Sequence, residues 1–154
     1  HSASTCNMIY VLYGQPASGK TVLGRMLAAS KLTTHHIDGD EFRNLFSNKN
    51  YDKIGREENI RAANAVATYL NKTQEDDVVL TLVNPYESLR NELKSNNSGQ
   101  VVEIMLVSNR KLRRNYHVKD FEAGMPRFTI NTDRSPEDTF KSLLHCIERR
   151  EYLP

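Results

Sequence analysis

Residues 14–21 read Gly14-Gln15-Pro16-Ala17-Ser18-Gly19-Lys20-Thr21 and satisfy the pattern G-x-x-x-x-G-K-[ST]. A loop closed by two glycines can turn successive backbone N–H groups inward, because glycine accepts positive φ and puts no Cβ in the way. A helix beginning at the loop's end points its free N–H groups and the positive end of its dipole at the same spot. Lys20 is then placed to reach β/γ-phosphates, and the Thr21 hydroxyl to ligate Mg²⁺. The pattern predicts a nucleoside triphosphate site, with Gly14, Ala17, Ser18, Gly19, Lys20 and Thr21 as the residues around ATP.

The flanks agree with that reading. Met8 to Tyr13 is an apolar, β-rich run, as expected of a strand buried in a parallel sheet. Val22, Leu23, Met26 and Leu27 then share one helix face, predicting a helix over about 19–31. Further along, the pattern predicts a short strand over Thr33–Ile37, a short helix over Asp38–Asn44 and a polar, irregular excursion over Asn48–Gly55. A long helix is expected over Arg56–Lys72, with Ile60, Ala63, Ala67 and Leu70 as one apolar stripe and Asn59, Ala63, Val66 and Leu70 as its neighbour. Asp77–Val83 reads as a third strand, central in the sheet, followed by a helix over Tyr86–Lys94 and a loop at Asn96–Gly99. Val101–Val107 and Phe128–Ile130 are the fourth and fifth strands. Ser135-Pro136-Glu137-Asp138 opens a last helix, with Ser as N-cap, Pro in the first turn and acids on the dipole. Strands alternating with helices predict an α/β three-layer sandwich, a parallel sheet of about five strands with helices on both faces.

Composition excludes several alternatives. A chain of 154 residues fits one domain. No apolar run approaches the ~20 residues of a membrane span. His1-Ser2 reads as a tag remnant, with residues 1–6 a tag or disordered start. Cys6 and Cys146 form no C-x-x-C pair, which favours a reducing, cytoplasmic setting over a disulfide framework or structural zinc. A net charge of +2 is too even to make nucleic acid the main partner. Basic residues do cluster at Arg110, Lys111, Arg113 and Arg114, which reads either as a solvated face or as a basic lid over a triphosphate.

In open α/β sheets ligands bind outside the carboxyl ends of the strands. Asp38-Gly39-Asp40 and Asn84-Pro85 fall there, beside the phosphate loop. Paired carboxylates at a strand end can serve Mg²⁺ waters, a substrate hydroxyl, or both, so Lys20, Asp38 and Asp40 are the catalytic candidates, with Thr21 and Asp38 at the metal. Arg56 and Asn59, one turn apart on the buried side of the long helix, are candidates for ligand contact or for a local ion pair or cap.

His36-Ile37-Asp38-Gly39-Asp40-Glu41-Phe42-Arg43 resembles the D-G-D-x-x-R signature of adenylylsulfate (APS) kinases, and Arg56-Glu57-Glu58-Asn59-Ile60-Arg61 resembles their R-x-x-N-I-R stretch. Resemblance runs from about Met8 to Arg90. It implies Asp38 as general base or metal-water ligand, and Asp40, Arg43, Arg56 and Asn59 at the acceptor with its phosphate or phosphosulfate. It places Tyr51 against the acceptor's base, and a homodimer is common among such kinases. After Val107 the chain departs: the long lid is reduced to Arg110–Glu122, F-T-G is absent, and Asn84-Pro85-Tyr86 replaces S-P-[FY]. It is similar here to compact members with a shortened lid, whose Arg110, Arg113 and Arg114 would cover the nucleotide.

The expected activity is ATP-dependent transfer of a γ-phosphate to a hydroxyl of a small nucleotide-like acceptor, APS first. Two alternatives stand beside it: a kinase for a sugar, nucleoside or polynucleotide 5′-end, and a nucleotide-binding module without turnover. A GTPase would need N-K-x-D, which is absent, so Asp52-Lys53-Ile54-Gly55 is an accidental D-x-x-G.

Overall fold

Alternation along the first strand decides where both halves of the core lie. The computed structural model describes residues 7–31, 34–110 and 114–151. In it β1 (Ile9–Tyr13) sends Ile9, Val11 and Tyr13 to one face of the sheet and Tyr10 and Leu12 to the other. It is flanked on both sides by parallel neighbours, β3 (Asp77–Leu82) and β4 (Val101–Val107). The outer strands β2 (Thr34–Asp38) and β5 (Phe128–Asn131) complete a five-stranded parallel sheet of order β2-β3-β1-β4-β5. Thr33, expected to open the second strand, lies outside the described residues.

Helices α2 (Gly39–Leu45), α3 (Lys53–Thr73) and α4 (Glu87–Asn96) cover one face, α1 (Lys20–Ala29) and α5 (Pro136–Glu151) the other. The three-layer α/β expectation holds. The third strand, β3, is interior as expected, between β1 and β2, while the middle position belongs to β1. Both are apolar and buried on two faces, so composition alone does not rank them.

Two local expectations change. The segment read as irregular up to Gly55 already contains the first turn of α3: the Asp52 carboxylate accepts from the Gly55 N–H at 2.8 Å and caps a helix that starts at Lys53. The accidental D-x-x-G is this cap. On α3 the buried stripe is Ile60, Ala63 and Ala67, while Val66 is exposed and Asn64 and Asn71 are buried instead. These amides have partners at the bottom of the sheet: Asn71 reaches Asn97 and Gln100, and Asn64 donates to the Leu89 carbonyl. At the other end, the Ser135 hydroxyl accepts from the Asp138 N–H at 3.2 Å, as its helix-start pattern predicts.

The carboxyl edge of the sheet is tied by one buried guanidinium. Arg90 of α4, 1% exposed, pairs through Nε with Glu103 of β4 at 3.1 Å and donates to the carbonyls of Asn84 at 2.7 Å and Glu122 at 2.6 Å. Its plane stacks 4.2 Å from the Tyr13 ring, at the end of β1. Burial pushes the Tyr13 phenol up to about 12 against the pull of Arg90, so it stays protonated and donates to the Ala123 carbonyl. Removing one partner of a buried pair strands the other charge, so Arg90→Met is expected to cost about 3–5 kcal/mol in urea unfolding. A loss below about 1 kcal/mol, within the range of a surface ion pair, would mean that Glu103 is held by Lys94 alone.

Candidate active site

The five strand ends present their loops on one side, as a parallel sheet requires, and the phosphate loop leaves the middle strand. Gly14 is obligatory there: a Cβ would stand 2.4 Å from the Leu106 carbonyl oxygen. Gly19, with φ +88°, turns the chain into α1. Ala17 also lies in the left-handed region, at φ +64°, a cost a non-glycine residue bears mainly at functional sites. Ser18 is buried, and the Lys20 ammonium donates to the Gln15 carbonyl at 2.8 Å and to the Ser18 hydroxyl at 3.2 Å. The loop is a concave, donor-rich cradle, and its residues fit a polyphosphate.

Next to it stands Asp38. Period-2 alternation puts His36, Asp38, Val79 and Thr81 on the α1 face of the sheet, and the register sets Asp38 directly beside Thr81. One carboxylate oxygen accepts from Thr21 at 2.7 Å and from Thr81 at 2.9 Å, while the other caps α2 through the Glu41 N–H. The Thr81 hydroxyl is therefore left to accept from His36 Nε2, 2.8 Å away. Burial pushes the carboxyl up, but the hydroxyls of Thr21 and Thr81, the Glu41 N–H and His36 together outweigh it and hold it below the ordinary carboxylate range. A buried oxygen donor kept ionised beside a threonine hydroxyl is a donor set that fits a hard divalent cation.

A cleft of ≈ 1170 Å³ opens over these groups and brings most of the candidate residues together. Ala17, Gly19, Lys20, Thr21, Asp38 and Asp40 line its loop side. Arg43, Tyr51, Arg56, Asn59, Asn84 and Pro85 line the rest. Asp40 is exposed in the first turn of α2, so the two carboxylates of the Asp-Gly-Asp turn have separate surroundings. Asn59 is buried and donates weakly to the Gly39 carbonyl; Arg56 is half-buried.

Arg43 is less available than its motif suggests. One nitrogen donates to the Asn50 carbonyl at 2.8 Å and to the Asn48 side chain at 3.2 Å, and its plane lies 4.2 Å from the Tyr51 ring. It thus also organises the 48–52 loop that carries Tyr51. Asn84 lines the cleft in a left-handed conformation, φ +50°, with both polar atoms of its amide buried and without a hydrogen-bond partner among the described residues.

Gly14 and Ser18 face a second cavity of ≈ 270 Å³, with Arg110 on its wall. The Arg110 guanidinium is held at the ends of β4 and β5, donating to Ser108 at 3.0 Å and Thr132 at 3.1 Å. Arg113 lies outside the described residues, and Arg114 starts a single 3-10 turn, Arg114–Tyr116. Sequence reasoning passed over Thr81, the one hydroxyl in an apolar strand, and over Asn115, Tyr116, His117 and Val118, which wall the cleft. The strand's polar interruption was a signal for Thr81; the wall has no motif.

The chain matches the family description for adenylylsulphate kinase over residues 6–123. No curated protein matches it by sequence. Among solved structures it is similar to the Mycobacterium tuberculosis APS kinase in complex with AMPPNP and APS, at 18% identity and TM-score 0.74, covering 92% of this chain and 98% of that one. A gluconokinase from Sinorhizobium meliloti, at 15% identity and TM-score 0.70, covers 96% of this chain and 94% of its own. Shikimate kinase from Aquifex aeolicus, at 14% identity and TM-score 0.68, covers 94% and 99%. These likenesses carry the fold. The family match reaches past Arg90, where the resemblance in sequence thins, and takes in the shortened segment as far as residue 123. From the phosphate loop to that segment, the chain belongs to the adenylylsulphate kinase family of P-loop kinases.

Proposed function

We propose that this chain transfers the γ-phosphate of ATP to a hydroxyl of a small nucleotide-like acceptor, adenylylsulfate first, at its 3′-hydroxyl. The observation that carries the reading is one cleft lined by Lys20, Thr21 and Asp38 together with Arg56 and Asn59. Such a layout sets a phosphoryl donor against an anionic acceptor. Phosphoryl transfer needs mainly alignment and charge neutralisation, so these residues suffice in kind.

The loop's N–H groups and Lys20 bind the donor phosphates. Thr21 and Asp38 would hold Mg²⁺, which supplies charge neutralisation at the transferring phosphoryl group. Asp38, kept well ionised, suits holding a metal-bound water or orienting the acceptor hydroxyl better than storing a proton. Arg56 and Asn59 hold the acceptor's phosphate or phosphosulfate, Tyr51 its base, and Arg43 fixes Tyr51. Asp40 faces the acceptor from the first turn of α2.

A second acceptor class has one observation in its favour. The Asn84 amide needs both a donor and an acceptor, and a hydroxyl offers both where a sulfate or phosphate oxygen only accepts. A sugar or polyol acceptor would meet that need; so would the ribose of a nucleotide.

A coupled assay of ADP release against adenylylsulfate, a nucleoside, a sugar acid and a polynucleotide 5′-end separates these readings. Turnover with adenylylsulfate supports the first, turnover only with another acceptor replaces it, and ATP binding without any turnover leaves a binding module. Lys20→Ala should lower kcat by ~10³-fold, as loss of a positioned charge at the reacting group does. A near-normal kcat would overturn the donor-site assignment. In Asp38→Asn, kcat should fall by roughly 10²-fold with ATP affinity largely kept. Arg56→Ala should raise acceptor KM about 10-fold or more, the worth of a charge-assisted contact, and leave ATP KM unchanged. An unmoved acceptor KM would return Arg56 to a purely structural part.

A further inference from the structure

The second position of the phosphate-loop pattern is unspecified, yet in this chain it makes a long-range attachment. The Gln15 amide meets the backbone of a residue 103 positions away: the Val118 N–H donates to Oε1 at 2.8 Å, and Nε2 donates to the Val118 carbonyl at 2.9 Å. Side chain and backbone pair here like one rung of a β-ladder. Val118 is buried, so the pair is sheltered from competing water. Through its own carbonyl, Gln15 also accepts from Lys20. One residue therefore touches the loop's lysine by its backbone and the opposite wall by its side chain.

What the pair holds is a partition. Pro16, Ala17 and His117 line both the ≈ 1170 Å³ cleft and the ≈ 270 Å³ cavity beside it. Past Val118 the chain is anchored independently: Phe121 stacks on Tyr13 at 6.1 Å, and the Glu122 N–H donates to the Pro85 carbonyl at 2.8 Å. Those anchors engage the end of β1 and the turn after β3, and neither contact is made to a residue of the phosphate loop itself. Among the described residues, the side-chain hydrogen bonds of Gln15 join the loop to the 115–118 wall.

Chemistry selects glutamine for this place. Leucine makes neither bond, and a carboxylate accepts from Val118 N–H but faces the carbonyl with no proton to give. Asparagine is one methylene shorter.

We infer that Gln15 is a positioning residue of the transfer site, tying the phosphate loop to the wall that carries Asn115, Tyr116 and His117, so that occupation of the loop is felt at that wall. This rests on reading the cleft as a nucleotide-dependent transfer site. The phosphate loop grips its anion through backbone N–H groups, which a change at Gln15 leaves in place; the wall is what loses its register.

The test is amide hydrogen exchange by NMR on the full chain, expressed as protection over intrinsic rates, with and without AMPPNP and MgCl₂. In the unsubstituted protein the Val118 amide is expected to be protected, and the analogue to add protection across 115–118. Gln15→Leu should lower Val118 protection about 10-fold, the worth of two sheltered hydrogen bonds, and abolish the added protection while the analogue still binds within about 3-fold. Gln15→Glu should lower Val118 protection less than Gln15→Leu at pH 8, since its carboxylate still accepts from the Val118 N–H, and should regain protection as pH falls toward about 4, where the acid gains a proton for the Val118 carbonyl. Unchanged Val118 protection in Gln15→Leu, or an analogue response at 115–118 equal to that of the unsubstituted protein, overturns the proposal. The exchange readout needs no acceptor, so failure of the transfer reading appears separately, as absence of turnover in the coupled assay.

Discussion

The Arg90 guanidinium is the constraint on which the carboxyl edge of this sheet depends. It is almost fully buried, and it is neutralised by Glu103 while its remaining N–H groups go to two carbonyls. A guanidinium taken out of water needs its charge balanced and its donors used. The consequence is geometric: the end of β1, the turn after β3, the strand β4 and the return segment at Glu122 must all meet around one planar group. Asn84 is presented to the cleft because its carbonyl is one of those acceptors. The Asn84 side of the cleft is thus built outward from a charge that barely reaches solvent.

The phosphate-loop side of the cleft is organised by a carboxylate in a comparable way. Asp38 is both the cap of α2 and the acceptor for Thr21 of α1 and Thr81 of β3. Local structure and candidate chemistry therefore share one residue. A cap alone would leave its second oxygen to water. Here that oxygen is held by two hydroxyls on neighbouring elements, which keeps it ionised and aimed at the phosphate loop.

Much of this was legible beforehand, for physical reasons. The phosphate loop is a local object: its glycines, lysine and threonine act within eight residues, so their spacing is enough to recognise it. The Asp-Gly-Asp turn and the Arg56–Asn59 helix start are local too, and the cleft brings all of them together. The apolar runs and helical stripes similarly show which segments pair and pack. What was not legible rested on partners that no motif announces. Arg43 lines the cleft as expected, but its guanidinium also serves the 48–50 segment, five to seven residues on, a pairing with no sequence signature. Asn64 and Asn71 lie buried on α3 outside the two stripes expected there, since their partners lie on α4 and beyond. Apolar content marks β3 as interior but is silent on order, so it does not say that β1 takes the middle position.

By itself, then, the sequence determined an α/β sandwich with a phosphate loop, a carboxylate turn and a basic helix start, since each is encoded within a few consecutive residues. Only the tertiary structure decided that β1 is central, that Thr81 holds Asp38, that Arg90 gathers the strand ends, and that Gln15 reaches Val118. Each of these joins residues far apart in the chain, and a contact of that kind exists only once the sheet has set its strand order and register.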